Sequence, residues 1–230
     1  MSAASFPDCR RPARAPAPAA VLPPTGEAVI HPGRDLGITL ALPGYTGLPQ
    51  LESTAMSASP STDVLVIAAS NRQNLQLAER FAAAARQQGQ SAAVLDLTAI
   101  PLPLFTPLAQ AAGIPPALAG LQTRLAAAPR WVICAPEYNG SIPPVLTSAI
   151  AWLSVQGDDF RALFNGRPVA IATHSGGGGH LLMASLRLQL AHLGAHVVGR
   201  QLVSNGTHPA KDDSIADLIT RLHQLLTPQP

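Results

Sequence analysis

Three short polar stretches concentrate the side chains able to hold or transform a small molecule. Ser70-Asn71-Arg72-Gln73-Asn74 joins a hydroxyl, a guanidinium and three carboxamides to the start of an amphipathic stretch. That set suits a phosphate monoester, because free N–H groups at a helix start and a guanidinium both donate to its several anionic oxygens. Taken alone, Asn74 could equally be an N-cap and Ser70 a turn residue. The second stretch, Ala135-Pro136-Glu137-Tyr138-Asn139-Gly140-Ser141-Ile142-Pro143-Pro144, is stiffened by its prolines. Pro136, Glu137, Tyr138, Asn139 and Gly140 can present amides and carbonyls to a planar heterocycle, with Tyr138 beside it, although an ordinary turn with a surface aromatic also fits. In the third stretch, Thr173-His174-Ser175 runs into four consecutive glycines and His180. Without side chains the glycine backbone can approach a ligand or take positive φ, so this loop is a contact candidate against a merely flexible turn.

Other chemistries lack their signatures. No G-x-G-x-x-G or G-x-x-x-x-G-K-[ST] follows an apolar run, which disfavours a Rossmann dinucleotide site and excludes a P-loop. A serine hydrolase built on Ser175 lacks the G-x-S-x-G elbow. His192 and His196 are four apart, but Gly194 should end the helix between them, and His174 and His180 merely flank the glycines, so no metal site is expected. Glu137, in a proline-bounded loop, suits a structural hydrogen bond better than general-base work. No protein acid, base or nucleophile is assigned.

Alternating β-branched and amphipathic runs position these stretches. Strands are expected at 63–69, 92–97, 131–135, 169–173 and 196–202. Helices are expected at 74–88, 116–127, from Pro143-Pro144 onward and up to Leu193, and a last one is striped by Ile215, Leu218, Ile219, Leu222, Leu225 and Leu226. The pattern asks for an α/β fold, a five-stranded parallel sheet with helices on both faces. With strand order 2-1-3-4-5, the loops after strands one, three and four converge where ligands bind in open α/β sheets, and these are the three unusual stretches. Trp131 and Trp152 read as core or interface residues, and Cys134 as a buried, inert thiol.

Composition narrows the partners. The 230 residues carry 15 basic and 13 acidic side chains, a net charge of +2 that provides no face for nucleic acid or anionic membrane, so small molecules are the expected partners. The uncharged run from Leu97 to Thr123 is broken by five prolines and cannot span a membrane. Ten of the 23 prolines fall in residues 1–60, which read as a disordered Pro/Ala-rich segment ahead of a globular domain at 61–230, with Met56 a possible natural start. Arg10 and Arg11 do not open a recognisable export signal. Two cysteines, Cys9 and Cys134, make no disulfide framework, so a reducing, cytoplasmic location is expected.

Together the three stretches resemble the NADPH-dependent FMN reductase family, the flavodoxin-like group that includes chromate, quinone and azo reductases. The resemblance covers about residues 62 to 226. Its most specific element is Pro136-Glu137-Tyr138-Asn139-Gly140-Ser141-Ile142-Pro143 with Leu146, Ala149-Ile150 and Trp152-Leu153-Ser154. This run is similar to the family's P-E-Y-N-x-S-x-P-x-x-L-x-x-A-I-D-W-x-S signature. Ser70-Asn71-Arg72 is similar to its G-S-x-R phosphate loop, and Ser175-Gly176-Gly177 falls at its glycine-rich loop. Ala69 stands where glycine is usual, Ala151 replaces an acidic residue, and the first loop is shorter than the family's. The amides of Gln73 and Asn74 could substitute for what the shortening removes. The resemblance implies a flavodoxin-like three-layer fold and bound FMN, with its phosphate at Ser70, Arg72, Gln73 and Asn74 and its ring at 136–140 and 175–177. NAD(P)H is then the reductant, and a quinone, azo, metal-oxyanion or flavin molecule the acceptor, in a homodimer or homotetramer. The alternative is a flavodoxin-like electron carrier or a flavin-binding protein without turnover. Carriers are usually strongly acidic, whereas 11 basic and 9 acidic residues follow position 60 here.

Overall fold

The computed structural model describes residues 62–227. The expected disorder of residues 1–60, the candidate start at Met56 and Cys9 lie outside the described residues. Six parallel strands form one sheet: β1 (Val64–Ala68), β2 (Ala92–Asp96), β3 (Arg130–Cys134), β4 (Pro168–His174), β5 (His196–Val197) and β6 (Leu202–Ser204). Their order is β2-β1-β3-β4-β5, with β6 also pairing β4. The helices are α1 (Gln73–Gln87), α2 (Pro107–Ala111), α3 (Pro116–Ala127), α4 (Pro144–Ser154), α5 (His180–His192) and α6 (Asp212–Gln224).

Strand alternation sends side chains to two cores. Val64, Val66, Ala68, Val132, Cys134, Ala170 and Ala172 pack with α1 and α6 on one face, while Leu65, Ile67, Ile133 and Ile171 pack with α3, α4 and α5 on the other. A sheet buried on both faces explains why β1 is apolar at every position. The tryptophans brace the second core. Trp131 Nε1 donates to the carbonyls of Leu125 and Ala128 at 3.1 and 3.2 Å, and Trp152 Nε1 donates to that of Pro103 at 2.8 Å.

The structure corrects two expectations. The fifth strand, expected unbroken over 196–202, is split. Val197 pairs with Val169 and Leu202 with Ala172, five steps along the edge against three along β4, so two extra residues bulge out. Arg187 holds the bulge from α5, Nη1 donating to the Val198 carbonyl at 2.9 Å and Nη2 to the Gln201 side chain at 3.1 Å. Leu226 does not belong to the last apolar stripe; it lies beyond the end of α6 and is exposed. The proline-broken connection between β2 and α3 contains α2, a single turn capped by Thr106, whose Oγ1 accepts from the Ala109 N–H at 3.0 Å. Among the described residues no helix is long and apolar enough to cross a membrane.

Candidate functional site

The adjacent C-terminal ends of β1, β3 and β4 align the three polar loops. Backbone bonds continue the ladder just past the strands: Ala69 N–H to the Cys134 carbonyl at 2.9 Å, Ala135 N–H to Ala172 at 3.1 Å and Ser175 N–H to Ser204 at 3.0 Å. Beyond these points the loops diverge in character.

In the loop after β1, Asn71, Arg72 and Gln73 are exposed and Ser70 is half-buried. Arg72 takes the N-cap position without a capping side-chain bond, and the first turn of α1 contains no acidic residue. The Gln76 N–H bonds to the Arg72 carbonyl at 3.0 Å, and among the described residues the N–H groups of Ser70 to Leu75 donate to no backbone carbonyl. The side chains of Ser70, Arg72 and Gln73 are likewise without a hydrogen-bonded or ion-pair partner among the described residues. A helix start with open donors and an adjoining cation is what an anion requires.

Asn74 differs from its neighbours. It is only 2% exposed, its Nδ2 donates to the His174 carbonyl at 3.0 Å and its Oδ1 accepts from the His174 N–H at 2.9 Å. The carboxamide expected at an anion instead clamps the start of α1 to the end of β4. What Asn74 can still offer a ligand is its backbone N–H.

The loop after β3 is built around a tight turn. Tyr138 and Ser141 exchange both backbone hydrogen bonds, at 3.1 and 3.0 Å, and between them Asn139 and Gly140 lie at φ of 51° and 71°. Positive φ at both central positions of a two-residue loop marks a type I′ turn, for which Asn-Gly is the preferred sequence. Tyr138 is 50% exposed, whereas Pro136 is buried.

The loop after β4 is fastened to that turn from behind. Ser175, 5% exposed, accepts the Glu137 N–H at 2.7 Å through its hydroxyl, which lies 2.8 Å from Thr173 Oγ1; Thr173 Oγ1 donates to the Ala135 carbonyl at 2.6 Å. Glu137 Oε2 in turn accepts the N–H of Leu182, in the first turn of α5, at 3.0 Å. The Ser175 and Glu137 side chains therefore fix the two loops to each other rather than projecting toward a ligand. Gly176 and Gly177 stay exposed, with nothing within 4 Å of a Cβ built on Gly176. Gly179 has a different function. At φ +72° its Cβ would fall 2.6 Å from Thr173 Cγ2, so only glycine lets the chain turn into α5 here.

Sequence reasoning missed Thr173, the backbone of His174 and Gly179. A period-two signal was available, since Thr173 and Ser175 point to one side of the strand end. Among the described residues no group of three His, Cys, Asp or Glu could hold a metal ion. Cys134 is buried on β3, and desolvation pushes its thiol pKa far above the ordinary range, which keeps it protonated.

One side of this site thus offers open donors to an anion, and the other a backbone surface free of side chains. The NADPH-dependent FMN reductase model matches residues 62–209, which include all three loops. The chain belongs to the NADPH-dependent FMN reductase family. It is 32% identical over 114 residues to an NAD(P)H-dependent FMN reductase of Pseudomonas aeruginosa, covering 49% of this chain and 59% of that protein. It is 34% identical over 128 residues to a quinone reductase of Escherichia coli, covering 53% and 66%. The chain thus spans less than two thirds of the length of both relatives. In fold it is similar to the flavoenzyme NAD(P)H:(acceptor) oxidoreductase FerB from Paracoccus denitrificans, with a TM-score of 0.54 and 22% identity over 69% of this chain and 97% of that one.

Proposed function

We infer that this chain is an FMN-dependent NAD(P)H oxidoreductase that reduces a small-molecule acceptor, a quinone being the first candidate because one relative is named a quinone reductase. The observation that carries the reading is the pairing of the open, acid-free start of α1 with the exposed Gly176–Gly177 backbone, joined through the Asn74–His174 clamp. These residues fit FMN. Ser70, the Arg72 guanidinium and the N–H groups of Gln73 and Asn74 would hold its phosphate. The backbone of Pro136, Glu137, Tyr138, Asn139 and Gly140 and that of Ser175, Gly176 and Gly177 would meet its ring, with Tyr138 at the rim. The chemistry FMN supplies when bound is electron transfer from NAD(P)H to the acceptor. The protein's own part would be to bind the group and to orient its ring by backbone hydrogen bonds. The reading extends to a cytoplasmic homodimer or homotetramer: Leu104, Leu108 and Ile114 stand exposed on the β2–α3 connection, a surface a second copy could cover.

The test is a visible absorbance spectrum of the purified protein with added FMN, before and after anaerobic NADPH. Bound-flavin bands that bleach are expected. Flavin that binds but is not bleached by NADPH or NADH would favour the carrier reading, and absence of FMN uptake would overturn the proposal.

A further inference from the structure

The hydroxyl chain behind the glycine loop has only one possible direction. The Ala135 carbonyl can only accept, so the Thr173 hydroxyl proton points to it across 2.6 Å. Thr173 Oγ1 then serves as acceptor for the Ser175 hydroxyl at 2.8 Å, and Ser175 Oγ accepts the Glu137 N–H at 2.7 Å. Each donor has one acceptor, and the two hydroxyls are shielded from water: Thr173 is 0% exposed and Ser175 5%. Alternative pairings that water could otherwise support are thereby removed. The relay ends on the peptide that leads into the Tyr138–Ser141 turn. From the other side, Gly179 closes over Thr173 so tightly that no Cβ fits between them.

We propose that Thr173 is a positioning residue for the ring-binding loops: through Ser175 its hydroxyl sets the Pro136–Glu137 peptide, and with it the backbone that the Glu137–Gly140 segment presents. This rests on the FMN reading above. Thr173 touches no ligand, and its effect passes entirely through Ser175 and the Glu137 N–H. Without its hydroxyl, the Ser175 proton loses its acceptor and the Ala135 carbonyl its donor, both in a dry site where unmade hydrogen bonds are costly. The serine must then rotate toward Ala135, which withdraws the acceptor geometry that the Glu137 N–H uses.

The experiment compares Thr173→Val, which keeps the shape, with Thr173→Ser, which keeps the hydroxyl. Two readouts are taken. The first is hydrogen exchange of the Glu137 amide in protein without flavin; the second is affinity for riboflavin and for FMN. In Thr173→Val the Glu137 amide is expected to exchange about tenfold faster, and riboflavin and FMN affinities to fall by a similar factor of about ten, because the defect lies on the ring side. Thr173→Ser should match wild type in both. Ser175→Ala should reproduce the valine variant while leaving the Thr173–Ala135 bond intact, which covers the case in which Thr173→Val fails to fold. Unchanged exchange and affinity in Thr173→Val would overturn the proposal. So would a Thr173→Ser variant as weak as Thr173→Val, since that assigns the effect to the methyl group and packing. Wild-type protein that takes up no flavin would overturn the FMN reading and the ring role together, and the Glu137 exchange rates would still report the relay, so the two failures are distinguishable.

Discussion

The loop after β1 and the pair of loops after β3 and β4 lie at the same edge of the sheet and use polar residues in opposite ways. In the first, Ser70, Arg72 and Gln73 and the leading N–H groups of α1 have no partner among the described residues, whereas Asn74 is engaged. In the second, Thr173, Ser175 and Glu137 direct their side chains at the protein itself, leaving the peptide backbone and bare glycines outward. The difference follows what each half must recognise. An anion is held by many donors of loose geometry and by charge, so open side chains serve it. A planar ring is read by a few amides and carbonyls whose positions must be fixed, so side chains there act as braces.

Substitutions can break this contrast from either side. The largest effect is expected at Gly179→Ala, where a left-handed backbone and a Cβ 2.6 Å from Thr173 Cγ2 oppose the change. A loss of about 3 kcal/mol in urea unfolding is expected, together with loss of flavin uptake. Asn74→Ala comes next. It strips both hydrogen bonds from the His174 peptide and should cost about 2 kcal/mol of stability. It should also weaken flavin binding, because it separates the two halves, so a stable variant with weakened binding alone would return Asn74 to the anion-ligand role. Ser70→Ala acts on the open half only. FMN affinity should fall about two- to fivefold, by fluorescence titration, with the urea midpoint unchanged.

The smallest effect lies at the opposite end of the sheet and serves as the reference. Asp63 accepts the Ser91 hydroxyl at 2.7 Å and the Ser91 N–H at 2.8 Å, and these bonds, the hydroxyl's foremost, hold its carboxyl below the usual carboxylate range. Because the folded value is lowered, its contribution is complete above the unfolded pKa of ~4 and is lost as pH falls through the lowered folded value. Asp63→Asn should remove that acid-side dependence at a cost of roughly a few tenths of a kcal/mol near neutrality, with FMN affinity unaffected.

Much of this was legible in the sequence because periodicity and turn chemistry are local. The positions of the strands and the start of α4 at the Pro143–Pro144 pair follow from patterns a few residues long. The site loops were found by type, yet the roles within them divide along a line the sequence does not show. Arg72 and Asn74 sit two apart, but one faces outward and the other meets His174 across 100 positions of chain. Ser175 read as a ligand contact because it opens the glycine run where the family resemblance puts a ring-binding loop. Its occupation by Glu137 and Thr173 depends on the parallel register of β3 and β4, a long-range fact. The split of the edge strand was hidden for a similar reason: its cause includes Arg187 on α5, outside the strand itself.

The most direct test of the division of labour is the ratio of FMN to riboflavin affinity in wild type and in Arg72→Ala. The two ligands share a ring and differ in the phosphate. Wild type is expected to favour FMN, and Arg72→Ala to lower FMN affinity about tenfold, the reach of one charge-assisted contact, while riboflavin affinity and thermal stability stay as they were. Equal binding of the two ligands by wild type, or an unchanged ratio in the variant, would contradict the assignment of the α1 start to the phosphate.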